Sequence, residues 1–222
     1  MSLPPHIIRA SAKLISAHRG EAGLSFVYAP GLSLPGGDAE LVAVWDRDEL
    51  PTPPAVGDVP INYLRESDFA AAVDALEEGD GWRGLDSPVK TVAGFAYGVM
   101  LSDRSGAGTK ARGRVSVFPY LLTDRTEAAL SAEAAAVAAE LAECTDGWAR
   151  AHLLDEALHR AYVAWFASHQ RYWPGRTRRY EWVEHFGLSA EVAELEHGIW
   201  NTSGAAGQAE LYAGFVEKIL SD

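Results

Sequence analysis

The chain has 222 residues, 48% of them hydrophobic, and carries 31 acidic against 19 basic side chains for a formal charge of −12. That length and apolar content suffice for one large domain or two small ones and exclude global disorder, while the acidic balance repels phosphate backbones, argues against DNA or RNA as a partner and suits a small cationic substrate. A single cysteine, Cys144, excludes an internal disulfide framework; with no basic-then-apolar leader and no uninterrupted apolar run of roughly 18 residues, the expectation is a cytoplasmic protein that does not enter a membrane.

In chain order, Pro5 to Arg19 sets Ile7, Ile8, Leu14 and Ile15 among Arg9, Lys13 and Arg19, a helical stripe. Leu24 to Tyr28 is short, aromatic and β-branched and stops at Ala29-Pro30-Gly31, which predicts a strand running into a loop that continues through Pro35-Gly36-Gly37. Leu41-Val42-Ala43-Val44-Trp45 is apolar throughout, the pattern of a strand covered on both faces. After the linker Pro51-Thr52-Pro53-Pro54, Val59 to Leu64 predicts a third strand, with Pro60 placing it at a sheet edge. Ser67 is the expected cap of a helix over Asp68 to Glu78 that ends at Gly79. Val92 to Leu101 is apolar and glycine-interrupted, and fits strand or helix equally.

Arg104 to Arg114 is glycine-rich and basic, with Gly106-Ala107-Gly108-Thr109-Lys110 expected to be a mobile loop; Val115 to Leu122 fits a strand or a linker. From Thr126 helix formers dominate, so the chain is expected to divide into an α/β domain over residues 1–122 and a helical domain over residues 123–222. The expected helices are Ala128 to Ala142, an amphipathic Ala151 to Trp173 stopped by Pro174-Gly175, Arg178 to Phe186, Ala190 to Trp200, and Ala209 to Leu220.

One constellation carries chemistry. Asp38 and Glu40 stand one residue apart at the start of the apolar strand, and on an extended backbone that spacing aims both carboxylates at one face. Such a pair offers hard oxygen ligands for Mg²⁺, the usual arrangement for phosphoryl and nucleotidyl transfer. Asp46 and Asp48 share the spacing, but in a polar turn.

These segments resemble the nucleotidyltransferase superfamily, the polymerase-β-like fold that includes kanamycin and other aminoglycoside nucleotidyltransferases. Phe26-Val27-Tyr28 is similar to that family's first strand and Asp38-Ala39-Glu40-Leu41-Val42-Ala43-Val44 to its acid strand. Phe95 to Asp103 followed by Gly106 is similar to the family's Gly-x-x-Leu-x-Asp-x-x-Gly segment, and Ala164 to Arg176 to its aromatic-Pro-basic segment. The chain departs from the pattern in two places. Ala29-Pro30 stands where the family has the Gly-Ser that holds nucleotide phosphates, and Asn62 is what the following strand offers where a third acid is expected.

The resemblance implies an α+β fold: a mixed sheet with flanking helices, followed by an all-α helical bundle. It further implies transfer of a nucleoside monophosphate from a nucleoside triphosphate to a hydroxyl of a small molecule, with Asp38 and Glu40 as catalytic metal ligands. Gly36 and Gly37 would lie against the nucleotide. Arg171 and Arg176 are candidates for its phosphates, since guanidinium forks match phosphate oxygens, and Glu156 is a candidate base. The alternative is the same fold without catalysis, a binding or scaffold protein, with Trp165, Tyr172, Trp173 and Trp182 either in the core or as anchors of a homodimer. A third class, a helical metal protein, rests on Glu156-x-x-His159 and Glu194-x-x-His197, a spacing that places both side chains on one helix face and also arises by chance. Gly-Lys-Ser/Thr and Gly-x-Ser-x-Gly motifs are absent, so neither a P-loop nor a serine nucleophile is supported.

Overall fold

The computed structural model describes residues 3–31, 40–54, 57–83, 88–176 and 179–222. They form two compact units, residues 1–75 with 88–118 and residues 76–87 with 119–222. The boundary at 118/119 lies beside the one read from composition, and the segment 76–87 joins the helical unit although it precedes the last strand in sequence.

The first unit is built on a four-stranded mixed sheet. Strands β1 (Leu24–Ala29), β2 (Leu41–Trp45), β3 (Ile61–Arg65) and β4 (Val99–Asp103) are ordered β3-β2-β1-β4. β2 runs parallel to β3 and antiparallel to β1, which is antiparallel to β4. The two central strands are buried at every residue, β2 being apolar throughout and β1 apolar but for Ser25, and β3 is an edge strand.

Helix α1 (Pro5–Ala17) lays Ile7, Ala10 and Leu14 on the sheet face formed by Val27, Leu41, Ala43 and Trp45. Just beyond its end the buried His18 meets the Trp45 ring edge-on at 4.9 Å, holds Glu21 Oε1 at 2.9 Å through Nδ1, and holds the Tyr63 hydroxyl at 2.5 Å through Nε2. Burial, helped by the Glu21 carboxylate, pushes the Tyr63 phenol up to about 12.

The other sheet face packs against α2 (Glu66–Glu77), α3 (Pro88–Ala96) and α4 (Ala107–Val115). Its centre is aromatic: Phe26 lies 5.8 Å from Phe69 and 5.6 Å from Phe95, and Tyr28 meets Phe95 edge-on at 5.1 Å. Pairs of this geometry contribute about 0.5–1.5 kcal/mol each beyond the area they bury. α2 begins one residue before Ser67, so that serine lies inside the helix rather than capping it; Gly79, at φ +77, follows its end as expected.

The structure settles the open stretch and corrects the basic loop. The ambiguous stretch 92–101 is the end of one helix and the start of a strand, α3 then β4, with Gly98 at the join. A Cβ there would stand 2.7 Å from the Gly94 carbonyl oxygen and 2.8 Å from that of Ala29, so only glycine lets the chain reverse so close to β1. The glycine-rich basic segment is helix α4 rather than a loop, and residues 115–122 contain no strand, only the passage into the next helix.

Asp103 explains why α4 forms despite its two glycines. Its carboxylate accepts from the backbone N–H of Gly108 at 3.2 Å and of Thr109 at 2.7 Å, and from the Thr109 hydroxyl at 2.6 Å. Burial alone would raise this carboxyl, but the Thr109 and backbone amide donors outweigh it and hold the pKa below the usual carboxylate range. Asp103→Ala is expected to cost about 1 kcal/mol in urea unfolding, the worth of a helix cap, and to speed amide exchange in α4. With a folded pKa below the unfolded one, this contribution is full at neutral pH and is lost as pH falls through the lowered value.

The second unit is all helical: α5 (Tyr120–Glu143), α6 (Gly147–Ser168), α7 (Arg179–Phe186), α8 (Ala190–Asn201) and α9 (Ala205–Ser221). α5 packs on α6 and α9, and α8 on α9. The first half of α6 is amphipathic, but from Ala157 to Ala167 every residue except Arg160 is buried, the signature of a central helix. The chain turns back after Ser168 and places Trp173 flat on Tyr162 at 5.1 Å and near Phe166 at 4.9 Å, with its indole N–H donating to His159 Nδ1 at 3.2 Å. Trp165, Tyr172, Trp173 and Trp182 are all buried within this unit.

Candidate functional site

Glu40 immediately precedes β2, and the β2/β3 register decides what it faces. Val42 pairs with Asn62 across the parallel ladder, so Glu40, two residues earlier, shares a sheet face with Asn62. The contact follows: Asn62 Nδ2 donates to Glu40 Oε2 at 3.0 Å. Tyr28, opposite Val42 on β1, lies on that face as well.

Burial raises the Tyr28 phenol well above its ordinary value; the Glu40 carboxylate pushes the same way, and the Arg112 guanidinium opposes. The phenol is therefore held protonated as a neutral donor at any physiological pH. Arg112 comes from α4 and is committed elsewhere. Its guanidinium donates to the carbonyls of Phe95 at 2.7 Å, Ala96 at 2.8 Å and Gly98 at 3.1 Å, closing the end of α3, and stands 4.3 Å over the Phe95 ring. Desolvation lowers its pKa.

The turn after β1 is equally committed. Pro30 has no N–H, and the N–H of Gly31, at φ +62, donates to the Gly94 carbonyl at 3.0 Å. Neither residue offers an amide to a phosphate where the Gly-Ser turn of the resemblance would. Gly36, Gly37 and Asp38 lie outside the described residues.

An α+β sheet of this order, flanked by helices and followed by a helical region, invites comparison with solved folds. The chain is similar to a nucleotidyltransferase-like protein from Exiguobacterium sibiricum, with a TM-score of 0.53 and 11% identity over 97% of this chain and 74% of that one. The fold is nucleotidyltransferase-like. At this identity the likeness carries the fold alone. No family model matches the chain, and no curated protein matches its sequence.

On that fold the remaining candidates fall as follows. Arg171 and Arg176 both belong to the helical unit. Arg171 donates to the Phe186 carbonyl at 3.2 Å and lies 4.8 Å over the Phe186 ring. Arg176 pairs with Asp155, and with Glu156 at 3.3 Å, so the candidate phosphate ligand and the candidate base neutralise each other. Of the two Glu-x-x-His pairs, His159 is buried against Trp173 while Glu194 and His197 are exposed. Among the described residues no group of three His, Cys, Asp or Glu side chains converges as a metal site.

The Asn62 amide donates to the Glu40 carboxylate, and Asp38, the other half of the carboxylate pair, lies outside the described residues. What the corner does offer is a carboxylate and an amide carbonyl as acceptors beside a neutral phenol. That set matches hydroxyl and ammonium groups.

Sequence reasoning took Tyr28 and Asp103 only as parts of family-like segments, with no role of their own, and passed over Arg112. Period two along β1 would have put Tyr28 on the face of Phe26, but only the β1/β2 register brings it toward Glu40.

Proposed function

We propose that this protein uses the nucleotidyltransferase-like fold for binding rather than for nucleotidyl transfer, and that the corner formed by Glu40, Asn62 and Tyr28 takes a small molecule bearing hydroxyl or ammonium groups. The observation that carries this reading is the hydrogen bond from Asn62 to Glu40. An amide occupies the place of the third acid that the resemblance implies, and it satisfies the neighbouring carboxylate instead of adding charge for a metal. The occupied Gly31 N–H and the missing N–H of Pro30 support the same conclusion for the phosphates. The acidic chain favours a cationic ligand through its long-range field.

A second reading keeps catalysis. Glu40 does open β2 on the face of Tyr28, and Asp38 is two residues ahead of it. In that reading Asp38 and Glu40 would hold Mg²⁺, which would neutralise charge on the phosphates, with Gly36 and Gly37 against the nucleotide; a small-molecule hydroxyl would attack the α-phosphate and pyrophosphate would leave.

Isothermal titration with ATP, GTP, CTP and UTP plus Mg²⁺, paired with a pyrophosphate-release assay on an aminoglycoside panel, separates the two. The binding reading expects no pyrophosphate, and aminoglycoside binding that falls at least tenfold in Glu40→Gln. Mg²⁺-dependent nucleotide binding with pyrophosphate release, both abolished in Asp38→Ala/Glu40→Ala, would establish the transferase instead.

A further inference from the structure

The sheet face that carries Phe26 has a second opening at the far end of the strands from Glu40. In the β1/β2 register Glu40 lies beyond Tyr28, whereas Glu66, which follows the last residue of β3, meets Ser25 near the start of β1. There α2 and α4 flank a cavity of about 130 Å³ lined by Phe26, Glu66, Phe69, Val73, Lys110 and Arg114. An engineered apolar cavity of about 150 Å³ accepts benzene, whereas drug-sized ligands need roughly 300 Å³ or more, so the occupant is a single ring or a branched aliphatic group.

The floor is apolar: Phe26, Phe69 and Val73 are buried, and the two rings meet edge-on. The walls are charged, and their charges are differently engaged. Arg114 is paired with Asp74 at 2.6 Å. Glu66 is anchored by the hydroxyl of the buried Ser25, which donates to Oε2 at 2.5 Å, and it has no cationic partner among the described residues. The side chain of Lys110, one turn before Arg114 on α4, makes no ion pair or hydrogen bond among the described residues; its backbone N–H donates to the Gly106 carbonyl at 3.0 Å. Glu66 and Lys110 line one cavity with opposite charges and do not reach each other.

A ligand that bridges this gap carries a cation for Glu66, an anion for Lys110 and a compact apolar body for the two rings. We propose that the cavity between α2 and α4 binds a small zwitterion of this kind, an α-amino acid with a branched or single-ring side chain. The α-ammonium would meet Glu66, the α-carboxylate would meet Lys110, and the side chain would rest on Phe26 and Phe69. This site is independent of the Glu40 corner.

The test is isothermal titration of the full chain with L-leucine and L-phenylalanine, against glycine, phenethylamine and 3-phenylpropionate. The two apolar amino acids should bind, phenethylamine and 3-phenylpropionate at least tenfold more weakly, and glycine not at all. Lys110→Met, a change at an exposed side chain, should weaken phenylalanine about tenfold and leave phenethylamine unchanged. Glu66→Gln should weaken both phenylalanine and phenethylamine and leave 3-phenylpropionate unchanged; should that variant not fold, the Lys110→Met comparison decides alone. Asp38→Ala/Glu40→Ala should bind phenylalanine as the parent does. Absence of heat with all five probes, or phenylalanine binding untouched by Lys110→Met, would overturn the proposal.

Discussion

Glu196→Gln is expected to destabilise the helical unit by about 3 kcal/mol, the lower end of the range for breaking a buried ion pair. Glu196 is 0% exposed on α8, accepts from the Tyr162 hydroxyl and from Trp200 Nε1 at 3.3 Å, and lies 2.5 Å from the guanidinium of Arg179 on α7, itself 13% exposed. The amide keeps the shape and removes the charge that faces the Arg179 guanidinium. Replacing both partners by apolar residues, Glu196→Leu with Arg179→Met, should recover most of the loss, because removing one charge of a buried pair costs more than removing both. Urea unfolding followed by circular dichroism, which the helical unit dominates, measures both variants. A Glu196→Gln midpoint equal to the parent's would show that the pair contributes nothing.

The second large effect is expected at Trp45. Its side chain is 0% exposed, packed between the rings of His18 at 4.9 Å and Tyr63 at 5.7 Å in the core that joins α1 to the sheet. Trp45→Ala should cost about 3–5 kcal/mol, the transfer term plus the cavity left behind. Trp45→Phe should cost far less than that. The Trp45 indole N–H is buried with no hydrogen-bond partner among the described residues, and phenylalanine removes that unsatisfied donor while it keeps most of the packing. If the two substitutions cost the same, the indole N–H has a partner and the packing account is wrong. Hydrogen exchange of the α1 and β2 amides localises the damage to this unit.

How much of this was legible in the sequence depends on whether the deciding interaction was local. β2 could be read because a continuous apolar run has one economical placement, between two covered faces, and β1 from its short aromatic and β-branched run stopped by Pro-Gly. α4 could not, since its glycines argue against a helix by propensity. What forms it is a cap from Asp103 and a close approach in which a Cβ on Gly108 would stand 2.6 Å from Met100 Cε. The stretch 92–101 was ambiguous because it holds two elements joined at a glycine whose necessity comes from β1, distant in sequence.

The candidate site divides in the same manner. Period two placed Glu40 on a face, yet its pairing with Asn62 depends on a parallel register that no local pattern encodes. Glu196 had a usable signal that was passed over. It stands four residues after Val192 and three before Ile199, on the buried stripe of α8, where an acid needs a partner.

Because residues 76–87 belong to the helical unit although they precede β4, the polypeptide passes from one unit to the other three times, at 75/76, 87/88 and 118/119. Cutting the gene after residue 118 would therefore not yield two intact halves. The C-terminal fragment would leave behind Asp80 and Arg83, the partners of Arg125 and Glu133, together with Gly79, whose Cα approaches the Leu121 backbone too closely for any side chain. The N-terminal fragment would carry that segment with nothing to fold against. Dissection of this protein therefore has to keep residues 76–87 with the helical unit.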